Sequence, residues 1–101
     1  MKTERQLRTQ VLSWIKRNVP TALVLPWNDR WLSGVPDLLI LYNGNYIWIE
    51  LKKKGGKVSK IQEYMHKKIQ DAGGDVAVCK SLEDVIDEFR MVEYWNVKHR
   101  L

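Results

Sequence analysis

Leu7, Val11, Trp14 and Ile15 recur at helical spacing near the start of the chain, which predicts a helix from residue 4 to about residue 17 with these four on one face. Thr3 is placed to cap it, and Glu4 is a favourable first-turn anion. Pro20 blocks continuation past Asn18. Residues 21–27 (TALVLPW) are strand-like, with Pro26 near the end as on an edge strand. Residues 28–36 read as a loop. Two strand patterns then flank Asn43-Gly44, the strongest short hairpin signal. After a lysine-rich loop, Ser59 and Gln62 form an S-x-x-Q capping box. The helix they open is expected to bury Ile61, Tyr64, Met65, Ile69 and Ala72, and Gly73-Gly74 ends it. Residues 75–80 (DVAVCK) read as a short buried strand, and Ser81 caps a last helix with Leu82, Val85, Ile86 and Phe89 inward. Residues 91–101 carry Val92, Tyr94, Trp95 and Val97 without clear periodicity, fitting an added strand or the cover of a subunit interface. The order α-β-β-β-α-β-α predicts one α/β domain over residues 1–101, a mixed sheet flanked by helices.

The hairpin brings chemistry with it. Side chains two apart on a strand share a face, so Glu50 and Lys52 project side by side and Leu51 points away. A two-residue turn pairs Tyr42 with Asn45 and sets Asp37 directly opposite Glu50, with Cβ atoms about 5 Å apart. A three-residue turn would break that pairing. Alone, Glu50 and Lys52 could be a strand running out into solvent through an ion pair. Two carboxylates directly opposite, however, repel unless something positive lies between them. A divalent cation is the obvious candidate.

Composition narrows the partners. With 101 residues, 45% of them hydrophobic, the chain matches one ordinary domain and not a disordered segment. Its apolar runs are far too short to span a bilayer, and MKTERQLRTQ has no apolar signal segment, so a cytoplasmic location is expected. One cysteine, Cys79, permits no internal disulfide. With two distant histidines, His66 and His99, both expected at the surface, no structural zinc site is expected. The net charge of +5 suggests a polyanionic partner. Lys52, Lys53, Lys54, Lys57 and Lys60 crowd one segment, with Lys67 and Lys68 on the following helix. Of five tryptophans, Trp14 and Trp48 read as core, while Trp27, Trp31 and Trp95 fit the core, a dimer interface or a DNA wedge equally well.

GVPDLLIL read together with YIWIELKKKGG gives Pro36-Asp37, twelve intervening residues, then Glu50-Leu51-Lys52. This resembles the signature of the PD-(D/E)XK nuclease superfamily, on its restriction-endonuclease-like αβββαβ order. The succession TERQLRTQVLSWI, SGVPDLLIL, IELKKKGGKVSKIQ and DAGGDVAVCKSLEDV is similar to the VRR-NUC family, the virus-type replication-repair nucleases, as a compact stand-alone member of the kind phages and bacteria carry. The chain departs from it at Trp27-Asn28, where members often carry Arg-Asn. The resemblance implies a homodimeric, Mg²⁺- or Mn²⁺-dependent endonuclease acting on branched DNA such as Holliday junctions. It implies Asp37 and Glu50 as metal-binding carboxylates, Lys52 as catalytic lysine, Gln62 as the glutamine of the following helix and Glu4 as the acidic residue of the first. The expected metal set is Asp37, Glu50, the Leu51 carbonyl and Glu4, and Lys53, Lys54, Lys57 and Lys60 are the expected phosphate contacts. The alternatives are a flap or linear-duplex nuclease, an inactive DNA-binding module on the same fold, and a basic protein-docking domain.

Overall fold

The structure, a computed structural model, describes residues 2–27 and 32–98. Asn28, Trp31 and His99, named above, lie outside the described residues. The elements run α1 (Glu4–Asn18), β1 (Leu23–Pro26), β2 (Leu38–Tyr42), β3 (Asn45–Leu51), α2 (Lys60–Asp71), β4 (Val76–Cys79) and α3 (Leu82–Lys98). They form one four-stranded mixed sheet in the order β1-β2-β3-β4, the restriction-endonuclease-like α/β architecture expected. Thr3 caps α1 in a full capping box with Gln6, and Ser59 caps α2 in another with Gln62.

The hairpin register is the expected one. Tyr42 pairs with Asn45 and Leu38 with Ile49, across a turn whose Asn43 and Gly44 both take positive φ, 49° and 78°, as a type I′ connection requires. β3 and β4 run parallel, so the chain must cross the sheet between them, and α2 makes that crossover. Alternation along the strands then divides the sheet. Leu38, Ile40, Ile47, Ile49, Leu51 and Cys79 face Leu7, Val11 and Ile15 of α1 and Val85 and Phe89 of α3, all buried. Each such side chain contributes roughly 1.5–3 kcal/mol by leaving water. The opposite face carries Asp37, Glu50 and Trp48, with α2 over its β4 side. Beyond that helix the face stays open: Leu23, Leu25 and Leu41 are 53%, 41% and 37% exposed, and Tyr46 is 65% exposed.

Three expectations change here. The helix after Ser81 does not stop near Phe89 but carries on to Lys98, so residues 91–98 are neither strand nor coil. This extension clamps the hairpin turn: Tyr42 Oη donates to Glu93 Oε1 at 3.0 Å, and Asn45 Nδ2 donates to Asn96 Oδ1 at 3.1 Å. Trp14 does pack on the core, 5.9 Å from Phe89 between ring centroids. Trp48 does not: it is half-buried on the open face, edge-on to Trp27 at 6.2 Å. On α2 the apolar phase is displaced. Ile61 and Tyr64 are 51% and 58% exposed, Ala72 is exposed as well, and the buried residue of that helix is His66.

Candidate active site

The site forms where β3 outruns β2. Regular pairing of the hairpin ends at Leu38 and Ile49, and the next residue on each strand is a carboxylate. Asp37 turns its side chain along the open end, and its Oδ2 accepts from the Leu51 backbone N–H at 2.8 Å. Its carbonyl accepts from Trp27 N–H at 2.9 Å, which fixes the segment from the other side. The loop leading in is held by Gly34, whose φ is +81° and whose missing Cβ would collide with the Ile61 carbonyl oxygen. Only glycine permits so close a backbone approach. The G-x-P-D spacing therefore seats the loop on the first turn of α2 and delivers Asp37 beside the residues that helix presents.

Those residues hold Glu50, which is 1% exposed. Gln62 does two jobs at once. Its Oε1 accepts from Ser59 N–H at 2.9 Å to close the capping box, and its Nε2 donates to Glu50 Oε2 over a long 3.4 Å. One turn later His66 brings Nε2 to 3.1 Å from Glu50 Oε1. Residues four apart on a helix lie on one face, so Gln62 and His66 grip the two oxygens of a single carboxyl group. His66 was expected at the surface and instead is 8% exposed. The i, i+4 spacing from Gln62 was the signal that could have placed it.

Burial pushes the Glu50 carboxyl up to about 8, assisted by the hydrogen bond and negative charge of Asp37 and opposed by Lys52. Burial, with the Lys52 charge second, lowers His66. The contact between them runs in either direction with the tautomer: the Glu50 acid donates to Nε2, or Nε2–H donates to the carboxylate. Lys52 is almost fully buried and its Nζ lies 4.0 Å from Glu4 Oε1, which is half exposed. The five predicted polar side chains, Glu4, Asp37, Glu50, Lys52 and Gln62, therefore gather at one end of the sheet.

The basic residues divide. Lys53 and Lys54 line a cavity of about 400 Å³ together with Lys2 and Lys80. Lys57 and Lys60 are exposed beside the start of α2 and do not line it. A second cavity, about 200 Å³, is lined by Glu4, Arg5, Arg8, Asp37 and Leu51. Neither arginine was expected at the site; Arg8 stands one turn on from Glu4, at i, i+4, and Arg5 directly follows Glu4 in the first turn.

The donor set suits a hard divalent cation. Burial first and the neighbouring Asp37 second disfavour the ionised form of Glu50, and a positive species between the two carboxyl groups would stabilise it. Among the described residues no three His, Cys, Asp or Glu side chains converge as a ready metal cage. The fit is therefore two carboxylates and main-chain oxygen, with water completing the shell, as Mg²⁺ prefers.

Comparison with known proteins identifies the family and the fold. The sequence profile of the VRR-NUC domain matches residues 2–83. A solved structure described as a VRR-NUC domain protein superposes with a TM-score of 0.73 at 21% identity, over 88% of this chain and 86% of its own. Another, described as a VRR-NUC domain, gives 0.66 at 23% identity, over 99% of this chain and 100% of its own. Both show a shared fold. No curated protein matches. The profile takes in α1, the P-D and E-x-K strands, α2 and β4, and on that match the chain belongs to the VRR-NUC domain family, a family of nucleases.

Proposed function

We propose that the protein is a structure-specific DNA endonuclease, dependent on Mg²⁺ or Mn²⁺, that hydrolyses phosphodiester bonds at branched DNA such as a four-way junction. The observation that carries this reading is the Asp37–Glu50 acid pair at the end of the sheet, with Lys52 beside it and arginine and lysine cavities on either side of the α1 start. Asp37, Glu50 and the Leu51 carbonyl would hold the metal, with Glu4 reaching it directly or through water. The ion would supply Lewis acidity toward a phosphate oxygen and a more acidic water.

The chain's own residues do the rest. The Leu51 N–H keeps Asp37 turned into the site. Gln62 and His66 keep Glu50 in one rotamer. Lys52, walled in on most sides, presents a compact ammonium to the attacking water or to the charge growing on the phosphate, a role a planar guanidinium fills poorly. Lys53, Lys54, Lys57 and Lys60 contact phosphates of the arms and confer salt-sensitive affinity.

Paired cuts across a junction need two sites related by a two-fold axis, hence a homodimer. The open sheet face bearing Leu23, Leu25, Leu41 and Tyr46 supplies apolar surface for a second copy. Among the described residues no helix is long and apolar enough to cross a membrane. The DNA substrate places the action in the cytoplasm.

The test is cleavage of a labelled four-way junction, a flap and a linear duplex in Mg²⁺, Mn²⁺ and EDTA, by the natural protein and by Lys52→Ala. Metal-dependent cuts paired across the junction, absent in the variant, support the assignment. Equal cutting of all three substrates retains the nuclease and removes the junction specificity. Junction binding without cleavage in either metal makes the protein a DNA-binding module.

A further inference from the structure

Arg5 and Arg8 stand three apart on α1 and line the same small cavity as Asp37, Glu4 and the Leu51 backbone. Helical spacing sets the two side chains next to each other. Among the described residues neither guanidinium makes an ion pair or a side-chain hydrogen bond. The contrast with other cations is informative: Lys67 pairs with Asp71, Arg90 with Asp87, and Lys52 approaches Glu4. Two carboxylates, Glu4 and Asp37, line the very cavity the arginines line, yet take neither of them. Arg8 is also half-buried, so part of its stem is committed to the cavity wall while its charge is uncompensated.

A concave site with two unpaired guanidiniums fits an anion with several in-line oxygens, which arginine grips with paired N–H donors. Proximity to Asp37 fixes which anion. Any polyanion led to the acid pair meets the carboxylates of Glu4 and Asp37 that line the same cavity, and needs cations at that spot to be held there. We propose that Arg5 and Arg8 form a seat for a single backbone phosphate of the bound strand, next to the phosphate that is cut. This rests on the nuclease reading above and deepens it. The seat sets where along the strand the cut falls. The lysine-lined cavity, on the other side of the α1 start, binds only diffusely.

The experiment measures binding of a fluorescein-labelled four-way junction by anisotropy across a KCl series, in EDTA and again in Ca²⁺. It compares the natural protein with R5Q/R8Q and with K16Q/R17Q, which removes the same charge from the last turn of the same helix. Circular dichroism checks that each variant folds. R5Q/R8Q is expected to bind roughly tenfold to a hundredfold more weakly at fixed low salt. Its plot of log affinity against log salt should be shallower by about 0.9, the loss of one duplex phosphate contact. K16Q/R17Q should match the natural protein. A junction with one neutral methylphosphonate walked along the strand should weaken the natural protein most at one position beside the cut, and leave R5Q/R8Q unaffected there. An unchanged salt slope in R5Q/R8Q, or an equal loss in K16Q/R17Q, overturns the seat while leaving the nuclease assignment intact. If the natural protein binds no DNA in either condition, the nuclease reading itself fails, and the seat with it.

Discussion

Replacing His66 tests whether α2 is a wall of the site or a clamp upon it. The imidazole is nearly inaccessible and its Nε2 is 3.1 Å from Glu50 Oε1, while the only other grip on that carboxyl from α2 is the 3.4 Å contact of Gln62. His66→Ala deletes the shorter bond and leaves a buried carboxyl oxygen without its partner, a cost of about 1–3 kcal/mol before any cavity term. Loss of a bond that orients a reactive or ligating group lowers activity or metal affinity by roughly 10- to 100-fold. Stability and orientation separate in two further variants. His66→Phe keeps the ring volume and removes the nitrogen, so it should melt close to the natural protein yet lose kcat with little change in KM. His66→Gln extends an amide nitrogen toward the same oxygen and should recover much of that loss. Junction cleavage gives the rates, isothermal titration of Mn²⁺ the affinity, and thermal melts the stability. A folded His66→Phe protein with natural kcat and natural Mn²⁺ affinity would refute the clamp.

Other consequences concern pH, the loop and the thiol. Glu50 is raised above its ordinary 4.5, so its contribution to stability is fully present below about 4.5 and is lost as pH climbs through about 8; Glu88, also raised by burial, adds the same sign. His66 is lowered from 6.5, so its contribution is present above 6.5 and lost as pH falls. In EDTA the protein should therefore lose stability between pH 6.5 and 8.5, at up to about 1.4 kcal/mol per pH unit; melts of Glu50→Gln should show most of that fall gone, and an undiminished fall would assign it elsewhere. Gly34→Ala drives a methyl into the Ile61 carbonyl at a positive φ and should destabilise by roughly 1–3 kcal/mol, while cleavage drops through displacement of Asp37; denaturant titration and the cleavage assay read the two. Burial pushes the Cys79 thiol up to about 12, so it should resist a disulfide-exchange reagent at neutral pH until the protein is unfolded, and prompt labelling of the native protein would contradict its place in the core.

The hairpin was legible because its signals are local and agree. Asn43-Gly44 takes the positive φ values the turn demands, and alternation of Leu38, Ile40, Ile47 and Ile49 leaves one register that buries them together. Once that register stands, Asp37 meets Glu50 without further information. The length of α3 was not legible, because what holds residues 91–98 helical is distant. Glu93 and Asn96 bond to Tyr42 and Asn45, more than fifty residues earlier, and no window of sequence shows that pairing. The open sheet face misled in the same way for Trp48: an aromatic inside a strand core reads as buried until the number of helices covering each face is known.

On α2 the misreading has a cause tied to the site. The apolar set Ile61, Tyr64, Met65 and Ile69 is a sound amphipathic stripe, and helix burial by apolar period would turn it inward. The structure turns the helix so that Gln62 and His66 face the sheet, leaving Ile61 and Tyr64 in solvent. Forgoing that apolar burial costs a few kcal/mol, and what it secures is a partner from α2 for each oxygen of a buried carboxyl that otherwise has only Asp37 and the Lys52 charge beside it, a comparable penalty. A helix set by those two polar side chains cannot rotate to improve its packing without releasing Glu50. Departure from the apolar period thus locates the functional face of α2. The same reasoning holds at Gly34, where a left-handed residue pressed on Ile61 gives up backbone entropy to bring Asp37 within reach. Both departures converge on one acid pair, and the exposed Ile61 and Tyr64 mark the side of the helix that the site does not use.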